Sequence, residues 1–458
     1  MAEERYELAI VGAGPGGYVA AVRAAQLGMK VICIDKAESL GGTCLNVGCI
    51  PSKALLHSTE VLERVDVDGK NLGIICSSLQ VDFFSMMERK NAIVKGLCEG
   101  VAGLFKKHGV SYKQGEGIFI DPNHLKVNES IIFSDNIILA TGSEPIELQA
   151  LPFDKSNVLS STEVLSLTKV PNSLVVIGGG AIGVELASVY QRLGSKVTLI
   201  EMMDRLCPSM EKILSRHLLQ NLRKKGISVL LSAKVISGID QREEIILTIE
   251  QEGKVQNLSG EKVLVAIGRR PFTQGLDLGA VGIEIDRKGF IPVDSFFRTK
   301  HPHIFAIGDL IDGPMLAHKA SEEGIAVVEW LNGNRHPLNY LAIPNVVYTN
   351  PELAAVGLSE EEAVAAGLSV AIGLAYFKGN PRARCNGETE GVVKIIGDRQ
   401  TGRLLGMHII GSQASELISV GMLAMQTGAL VADLAQAPQA HPTLGEAIKE
   451  AAFEALRA

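Results

Sequence analysis

Apolar residues in this chain fall in short runs separated by glycine-rich turns and Ala-rich stretches, and the order of these pieces repeats. Glu7 to Val11 (ELAIV) reads as a strand, and it runs into Gly12-Ala13-Gly14-Pro15-Gly16-Gly17. An Ala-rich helical stretch, Tyr18 to Leu27, follows, then Gly28, a second strand from Lys30 to Ile34, and Asp35. The unit returns later in the chain. Ser173 to Ile177 (SLVVI) is the strand, Gly178-Gly179-Gly180-Ala181-Ile182-Gly183 the turn and Val184 to Leu193 the helix. Gly194, the strand Lys196 to Ile200 and Glu201 complete it. In both copies the acid stands 23 residues after the first glycine.

A lone GxGxxG is weak evidence. Two copies at identical spacing, each inside a strand–helix–strand unit, point to two dinucleotide sites. The first glycine permits the tight turn, the second lets backbone approach a pyrophosphate, and the third lets helix and strand pack closely. The helix N-terminus offers N–H groups and partial positive charge to phosphates, and the acid accepts from ribose hydroxyls. Three further strands end in glycine: Ile137 to Gly142, Val263 to Gly268, and Ile304 to Gly308 with Asp309 after it. They mark where the chain crosses between domains or lines a nucleotide.

Boundaries are expected near Pro145, Pro271 and Pro337. They divide the chain into dinucleotide-binding segments at 1–145 and 146–270, a central segment at 271–336 completing the first site, and a terminal domain at 337–458. That last part reads as a sheet (VVYTN, VAIGLAYF, GVVKIIGD, LLGMHIIG) with helices near Ala414 to Thr427, Val431 to Ala435 and Gly445 to Leu456. The expected fold is α/β, with two Rossmann-like domains plus a C-terminal α+β domain.

Composition narrows the function classes. The 44 Lys and Arg against 51 Asp and Glu give a net charge of −7 without any basic block, which offers nucleic acid no footprint. No apolar run approaches the ~18 residues of a membrane span. The stretch from Met1 to Glu7 lacks a cationic start and an apolar core, so a cytoplasmic location is expected. Five of the seven cysteines are scattered (Cys33, Cys76, Cys98, Cys207 and Cys385), unlike a secreted disulfide framework.

The remaining two stand close together in Gly41-Gly42-Thr43-Cys44-Leu45-Asn46-Val47-Gly48-Cys49-Ile50-Pro51-Ser52-Lys53, just after Asp35. On an ideal helix a C-x4-C spacing sets side chains about 140° apart. A bridge, which needs Cα atoms within about 7 Å, therefore requires a distorted turn. Gly48 and Pro51 can supply the irregular backbone. A redox pair, two structural thiols and half a zinc site are all readings of this spacing. Zinc needs two more ligands, and no second Cys pair exists, so no metal is expected. Near the C-terminus, Ala440-His441-Pro442-Thr443-Leu444-Gly445-Glu446 supplies a base suited to neutral pH and a carboxylate to orient it. A His before a Pro at a helix start is also a common structural position.

The segments GGTCLNVGCIPSK and HPTLGE, with the two GxGxxG units, resemble the disulfide oxidoreductase flavoproteins, in order and over essentially the whole chain. The resemblance implies FAD at the first GxGxxG and NAD at the second. Carried over, Gly12, Gly14, Gly17, Asp35, Thr43, Gly117, Thr141, Gly142, Asp309 and Ala317 are FAD contacts. Family members often have Glu at the place of Asp35. Lys53 is expected near the flavin, paired with Glu185. Gly178, Gly180, Ile182, Gly183, Glu185, Glu201, Val235 and Gly268 are expected nicotinamide-cofactor contacts.

The implied activity is oxidation of dihydrolipoyl groups to lipoyl through a Cys44–Cys49 disulfide, with His441 and Glu446 as acid–base pair and NAD as acceptor. The implied partners are a second copy of the chain, which contributes the base, and lipoyl groups carried by 2-oxoacid dehydrogenase complexes or the glycine cleavage H protein. The alternative is an NADPH-dependent reductase of glutathione type. Against it, Glu201 repels a 2′-phosphate, and only Arg205 lies in the following Glu201-Met202-Met203-Asp204-Arg205. Mercuric reductases carry extra C-terminal cysteines, whereas the last cysteine here is Cys385.

Overall fold

A computed structural model describes residues 3–69, 72–76, 78–242, 244–335 and 337–458. By contacts the chain divides into two compact units. One comprises Met1–Ala54, Ser85–Ile146 and Gly268–Leu338; the other comprises Leu55–Phe84, Glu147–Ile267 and Asn339–Ala458.

The first unit is built on a seven-stranded sheet. Its parallel part runs Ser111–Gln114, β2 (Val31–Asp35), β1 (Glu3–Val11), Ser130–Leu139. The strand Ser130–Leu139 splits its other edge. Its start pairs antiparallel with His124–Val127, and its end pairs parallel with Ile304–Ala306. A short strand that is distant in sequence thereby joins the sheet. Leu8 to Val11 and Val31 to Ile34 are buried without alternation, as in a parallel sheet covered on both faces. Helix α1 (Pro15–Gln26) carries proline at its start and presents Gly16, Gly17, Ala20, Ala21 and Ala24 to the core. Small residues there let α1 lie close to the helix Ala317–Leu331, where Gly324 approaches Gly16. The 26-residue helix Phe83–His108, which no sequence motif announced, also belongs to this unit from Ser85 onward.

The second unit holds two layers of different kinds. A five-stranded parallel sheet runs Ser228–Leu230, Lys196–Ile200, Ser173–Ile177, Lys262–Val265, Val158–Leu159, beside an antiparallel three-stranded sheet from Ala233 to Gly260. The C-terminal part is an antiparallel sheet in the order Asn345–Val347, Glu352–Gly357, Leu404–Gly411, Val392–Asp398, Val370–Tyr376. The helices expected there are present as Ala414–Thr427, Val431–Gln436 and Glu446–Arg457, and two short ones, Glu360–Ala365 and Pro381–Asn386, add to them. Four of those strands match the expected segments. Glu352–Gly357 (ELAAVG) is the addition, and its two alanines and leading Glu hide its strand character. Buried Lys394 ties this sheet to Glu211, the residue just before the helix Lys212–Lys224. Among the described residues no helix is long and apolar enough to cross a membrane.

Candidate active site

The two glycine turns are nearly superposable in their constraints. Gly12 has φ +110° and Gly178 φ +111°, a region open to glycine. A Cβ on Gly12 would stand 2.2 Å from the Ala140 carbonyl oxygen, and one on Gly178 would stand 2.3 Å from that of Ala266. A Cβ on Gly17 or Gly183 would fall 1.8 or 1.9 Å from the oxygen of Gly12 or Gly178. The second glycines differ in kind. Gly180 would meet nothing within 4 Å, and Gly14 only the Gly42 Cα at 3.9 Å. Each turn is therefore packed tightly on its inner side and open on its outer side. Neither following helix has a side-chain cap, so the first backbone N–H groups face that opening without one. An uncapped helix start beside bare backbone suits a diphosphate, and both turns fit a dinucleotide on this ground.

The acids close the same arrangement. Asp35 accepts from the N–H of Ala13 at 2.6 Å and of Ala37 at 2.8 Å. Glu201, itself buried, accepts from Gly179 at 2.6 Å and Met203 at 2.7 Å. The carbonyl of the same second turn residue is also taken: Gly41 donates to Ala13 and Cys207 to Gly179, both at 2.9 Å. Gly41 and Cys207 each lie 29 residues after the first glycine of their copy, and both have positive φ, +102° and +44°. The internal repeat is thus longer than the motif suggested, and this spacing is the signal that would have found its last member. Burial pushes the Cys207 thiol up to about 12, so it stays protonated at neutral pH.

In the first unit that return of the chain delivers the cysteines. Helix α2 (Gly42–Val47) begins on the dinucleotide turn itself, since a Cβ on Gly42 would be 2.6 Å from the Gly14 Cα. The helix breaks at Gly48, whose φ −138° and ψ −110° lie outside the helical region, and α3 (Cys49–Glu63) starts at the next residue. The distortion required to bring a C-x4-C pair together therefore sits at Gly48. Pro51 instead lies in the first turn of α3, where its missing N–H costs no bond. Cys44 is half-buried and Cys49 exposed, and both carry thiols here. They meet: contact with Cys49, then burial, pushes the Cys44 thiol well up, while the Lys53 ammonium pulls the other way.

Further expected residues of this unit gather at the C-terminal ends of the parallel strands. Gly117 packs on Val11, Thr141 Oγ1 donates to the Phe272 carbonyl at 2.5 Å, and Gly142 has φ +74°. Asp309 accepts from the Ser143 hydroxyl at 2.5 Å. Ala317 opens its helix without a side-chain cap, and Thr43 is exposed on α2. Two features of this region had no sequence signal. Arg269 grips Ser143 through the hydroxyl at 2.7 Å and the carbonyl at 2.6 Å. Burial lowers its pKa, while the charges of Asp309, Cys49 and Glu144 oppose the shift. The Asp309 turn is held from behind by a fully buried pair, Lys319 and Glu323 at 3.1 Å. Lys319 donates to the Gly308 carbonyl, and Glu323 accepts the Gly308 N–H.

In the second unit, Ile182 and buried Glu185 lie in the helix Ala181–Arg192, with Glu185 accepting from the Tyr348 N–H at 2.9 Å. Val235 lies at a bulge in the strand Ala233–Asp240. Gly268 falls in the first unit, one residue after Ile267 closes a segment of the second. His441 Nδ1 lies 2.9 Å from Glu446 Oε1, and the other carboxylate oxygen accepts the Thr443 N–H at 2.8 Å. These two bonds hold the Glu446 carboxyl below its usual range. An ionised carboxylate only accepts, so Nδ1 carries a proton, and the tautomer this selects for a neutral imidazole leaves the lone pair on Nε2. The Glu446 grip on Thr443 is shared by Asn380, whose amide donates to the Thr443 carbonyl at 3.0 Å. The His441 side chain is 68% exposed, open to a group brought from outside its own chain.

Two nucleotide turns, a cysteine pair planted on the first and an oriented imidazole define a flavin- and nicotinamide-dependent disulfide oxidoreductase. The chain belongs to the pyridine nucleotide-disulphide oxidoreductase family, whose model matches residues 6–324 and whose dimerisation-domain model matches residues 343–452. Members of this family use FAD and a nicotinamide dinucleotide.

Among curated relatives, the chain is 46% identical to a dihydrolipoamide dehydrogenase of Chaetomium thermophilum over 98% of this chain and 90% of that one. It is 44% identical to a mitochondrial dihydrolipoyl dehydrogenase of Arabidopsis thaliana at the same coverage, and 44% identical to that of dog over 97% and 89%. Among solved structures, LpdA from Mycobacterium tuberculosis superposes with a TM-score of 0.91 at 26% identity, covering 98% and 99% of the two chains. The HOCl-induced flavoprotein disulfide reductase RclA from Escherichia coli superposes at 0.86 and 27%, with the same coverage.

Proposed function

We propose that this protein oxidises dihydrolipoyl groups to lipoyl and reduces NAD, working as a homodimer with one FAD per chain. The observation that carries the reading is the Cys44–Cys49 contact across the Gly48 break, on a helix anchored to the first dinucleotide turn. FAD is held at the turn Gly12–Gly17 by Asp35, Gly117, Thr141, Gly142, Asp309 and Ala317. NAD is held at Gly178–Gly183 by Glu201 and Val235.

In the resting enzyme the cysteines form a disulfide. His441 of a second copy takes a proton at Nε2 from one substrate thiol, and Glu446 stabilises the imidazolium that results. The substrate thiolate attacks the Cys44 sulfur, the Cys44–Cys49 bond breaks, and Cys49 leaves as a thiolate. Arg269, whose cation lies within the influence of Cys49, favours that charge. The second substrate thiol attacks the first substrate sulfur, the bond from that sulfur to Cys44 breaks, and the departing Cys44 sulfur takes up the second thiol's proton. Lipoyl disulfide departs, and Cys44 and Cys49 hold the two electrons. FAD supplies the route by which that electron pair reaches NAD as a hydride.

NAD is favoured over NADP because an acidic side chain, Glu201, ends the strand and Met202 and Met203 follow it without a cation. The physiological substrates are lipoyl groups on 2-oxoacid dehydrogenase complexes or on the glycine cleavage H protein. A Cys44→Ser protein tests the scheme: dihydrolipoamide oxidation is expected to vanish, and retention of the normal rate overturns it. Parallel assays with NADPH and glutathione separate this reading from the glutathione-reductase alternative.

A further inference from the structure

Asn46 lies between the two cysteines and belongs to neither nucleotide site nor the acid–base pair. Every hydrogen-bonding position of its amide is engaged. Nδ2 donates to the carbonyls of Leu40 at 3.1 Å and Gly42 at 2.9 Å. Oδ1 accepts from the Ser39 hydroxyl at 2.7 Å and the Cys98 thiol at 3.4 Å. The two carbonyls flank a left-handed corner, Gly41 at φ +102° and Gly42 at φ +57°. That corner is the part of α2 that docks on the dinucleotide turn, through the Gly41 N–H to the Ala13 carbonyl and the Gly42–Gly14 contact. Cys98, buried, comes from the helix Phe83–His108, so the amide joins the corner to a third element.

We infer that Asn46 is a positioning residue for the redox pair: its amide fixes the Gly41–Gly42 corner and the first turn of α2, and so holds the Cys44 sulfur against Cys49. The inference rests on Cys44 and Cys49 being that pair. A side chain that merely braced a loop would affect melting and leave thiol chemistry alone. A positioning residue changes how readily the two sulfurs join. Losing two donated bonds shifts that step by about tenfold. Serine at this place keeps one of them, because a hydroxyl at position i of a helix can donate to the carbonyl at i−4, here Gly42.

The test uses the purified, flavin-loaded protein as wild type, Asn46→Ala, Asn46→Ser and Cys98→Ala. Each is reduced, then mixed with oxidised dithiothreitol. Forming Cys44–Cys49 removes two electrons and two protons from the protein thiols, and the cyclic disulfide takes both and opens to the dithiol. Closure is followed by thiol labelling and peptide mapping. Asn46→Ala is expected to close about tenfold more slowly and to shift the exchange equilibrium by a similar factor. Asn46→Ser is expected to recover part of the loss, and Cys98→Ala to show a two- to threefold effect, with flavin content unchanged in all (~10-fold and ~2–3-fold, as for one or two neutral hydrogen bonds). Wild-type closure rates in Asn46→Ala and Asn46→Ser would overturn the inference and leave the redox pair standing. If Asn46→Ala fails to fold, Asn46→Ser alone decides, since an unchanged rate there also overturns it. A wild-type protein that forms no Cys44–Cys49 disulfide would instead remove the functional reading beneath it.

Discussion

Gly180→Ala separates nucleotide binding from folding more cleanly than any other change in the second turn. Gly180 has φ −76° and ψ −178°, extended backbone that alanine adopts without strain, and a Cβ there meets no protein atom within 4 Å. Two small effects on the apoprotein oppose each other: reduced unfolded-state entropy stabilises by about 0.4–1 kcal/mol, and loss of a glycine N-cap costs up to about 1 kcal/mol. The melting temperature is therefore expected within a few degrees of wild type. With the dinucleotide present, the added methyl stands on the open side of the turn, where the diphosphate must approach bare backbone. Overpacking of this kind costs about 1–3 kcal/mol, and at 1.4 kcal/mol per tenfold this weakens binding by roughly 5- to 150-fold. The assay is the KM for NAD beside the rate of flavin reduction by dihydrolipoamide, which uses the first unit's turn, the cysteine pair and the His441–Glu446 pair but not the second turn. A raised KM with an unchanged half-reaction and melting point is expected. An unchanged KM for NAD would refute the assignment of this turn to the nicotinamide cofactor. Gly183→Ala is the contrast: its Cβ would lie 1.9 Å from the Gly178 oxygen, so the protein itself must distort.

Other consequences are independent of that turn. His441→Gln is expected to lower kcat for dihydrolipoamide oxidation by about 10²–10⁴-fold, the range for a general base, while binding NAD normally; a kcat near wild type argues against His441 as the base. Lys319→Met leaves Glu323 buried without its cation behind the Asp309 turn, which is expected to destabilise the protein by about 3–5 kcal/mol and to speed flavin release, both measurable by urea melts with flavin fluorescence. Burial lowers the pKa of His408 from its ordinary 6.5. The imidazole's stability contribution is therefore full above about 6.5, where folded and unfolded chains are both neutral, and is lost as pH falls through the lowered folded value, because the unfolded chain takes up a proton first. Glu211, Lys394 and Glu362 also bear on His408, so the comparison is with His408→Gln: its melting temperature is expected to fall less than wild type between pH 7.5 and 5.5, and parallel curves would contradict the assignment.

Much of the site was legible because its demands on sequence are local. Gly12, Gly17, Gly178 and Gly183 sit where a Cβ cannot fit, and that constraint alone marks both nucleotide turns. Cys44, Gly48 and Cys49 could be read together because a C-x4-C pair needs a helix break and glycine supplies it. His441 and Glu446 are five residues apart, and one short loop brings them together. What escaped depends on long-range partners. Arg269 meets Ser143 from 126 positions away, and Lys319 with Glu323 supports a turn whose importance appears only once Ile304–Ala306 has joined the first sheet. Gly41 and Cys207 were missed because the repeat was followed only as far as its acid. The strand Glu352–Gly357 and the helix Phe83–His108 carry weak local signals, and their tertiary neighbours decide them.

The most direct measurement is the absorption spectrum of the flavin-loaded protein titrated anaerobically with dihydrolipoamide. One equivalent is expected to raise a long-wavelength band from the Cys49 thiolate against the flavin, and Cys49→Ser is expected to lack it. Full bleaching of the flavin with no such band, or the same band in Cys49→Ser, would contradict a cysteine pair lying between substrate and cofactor.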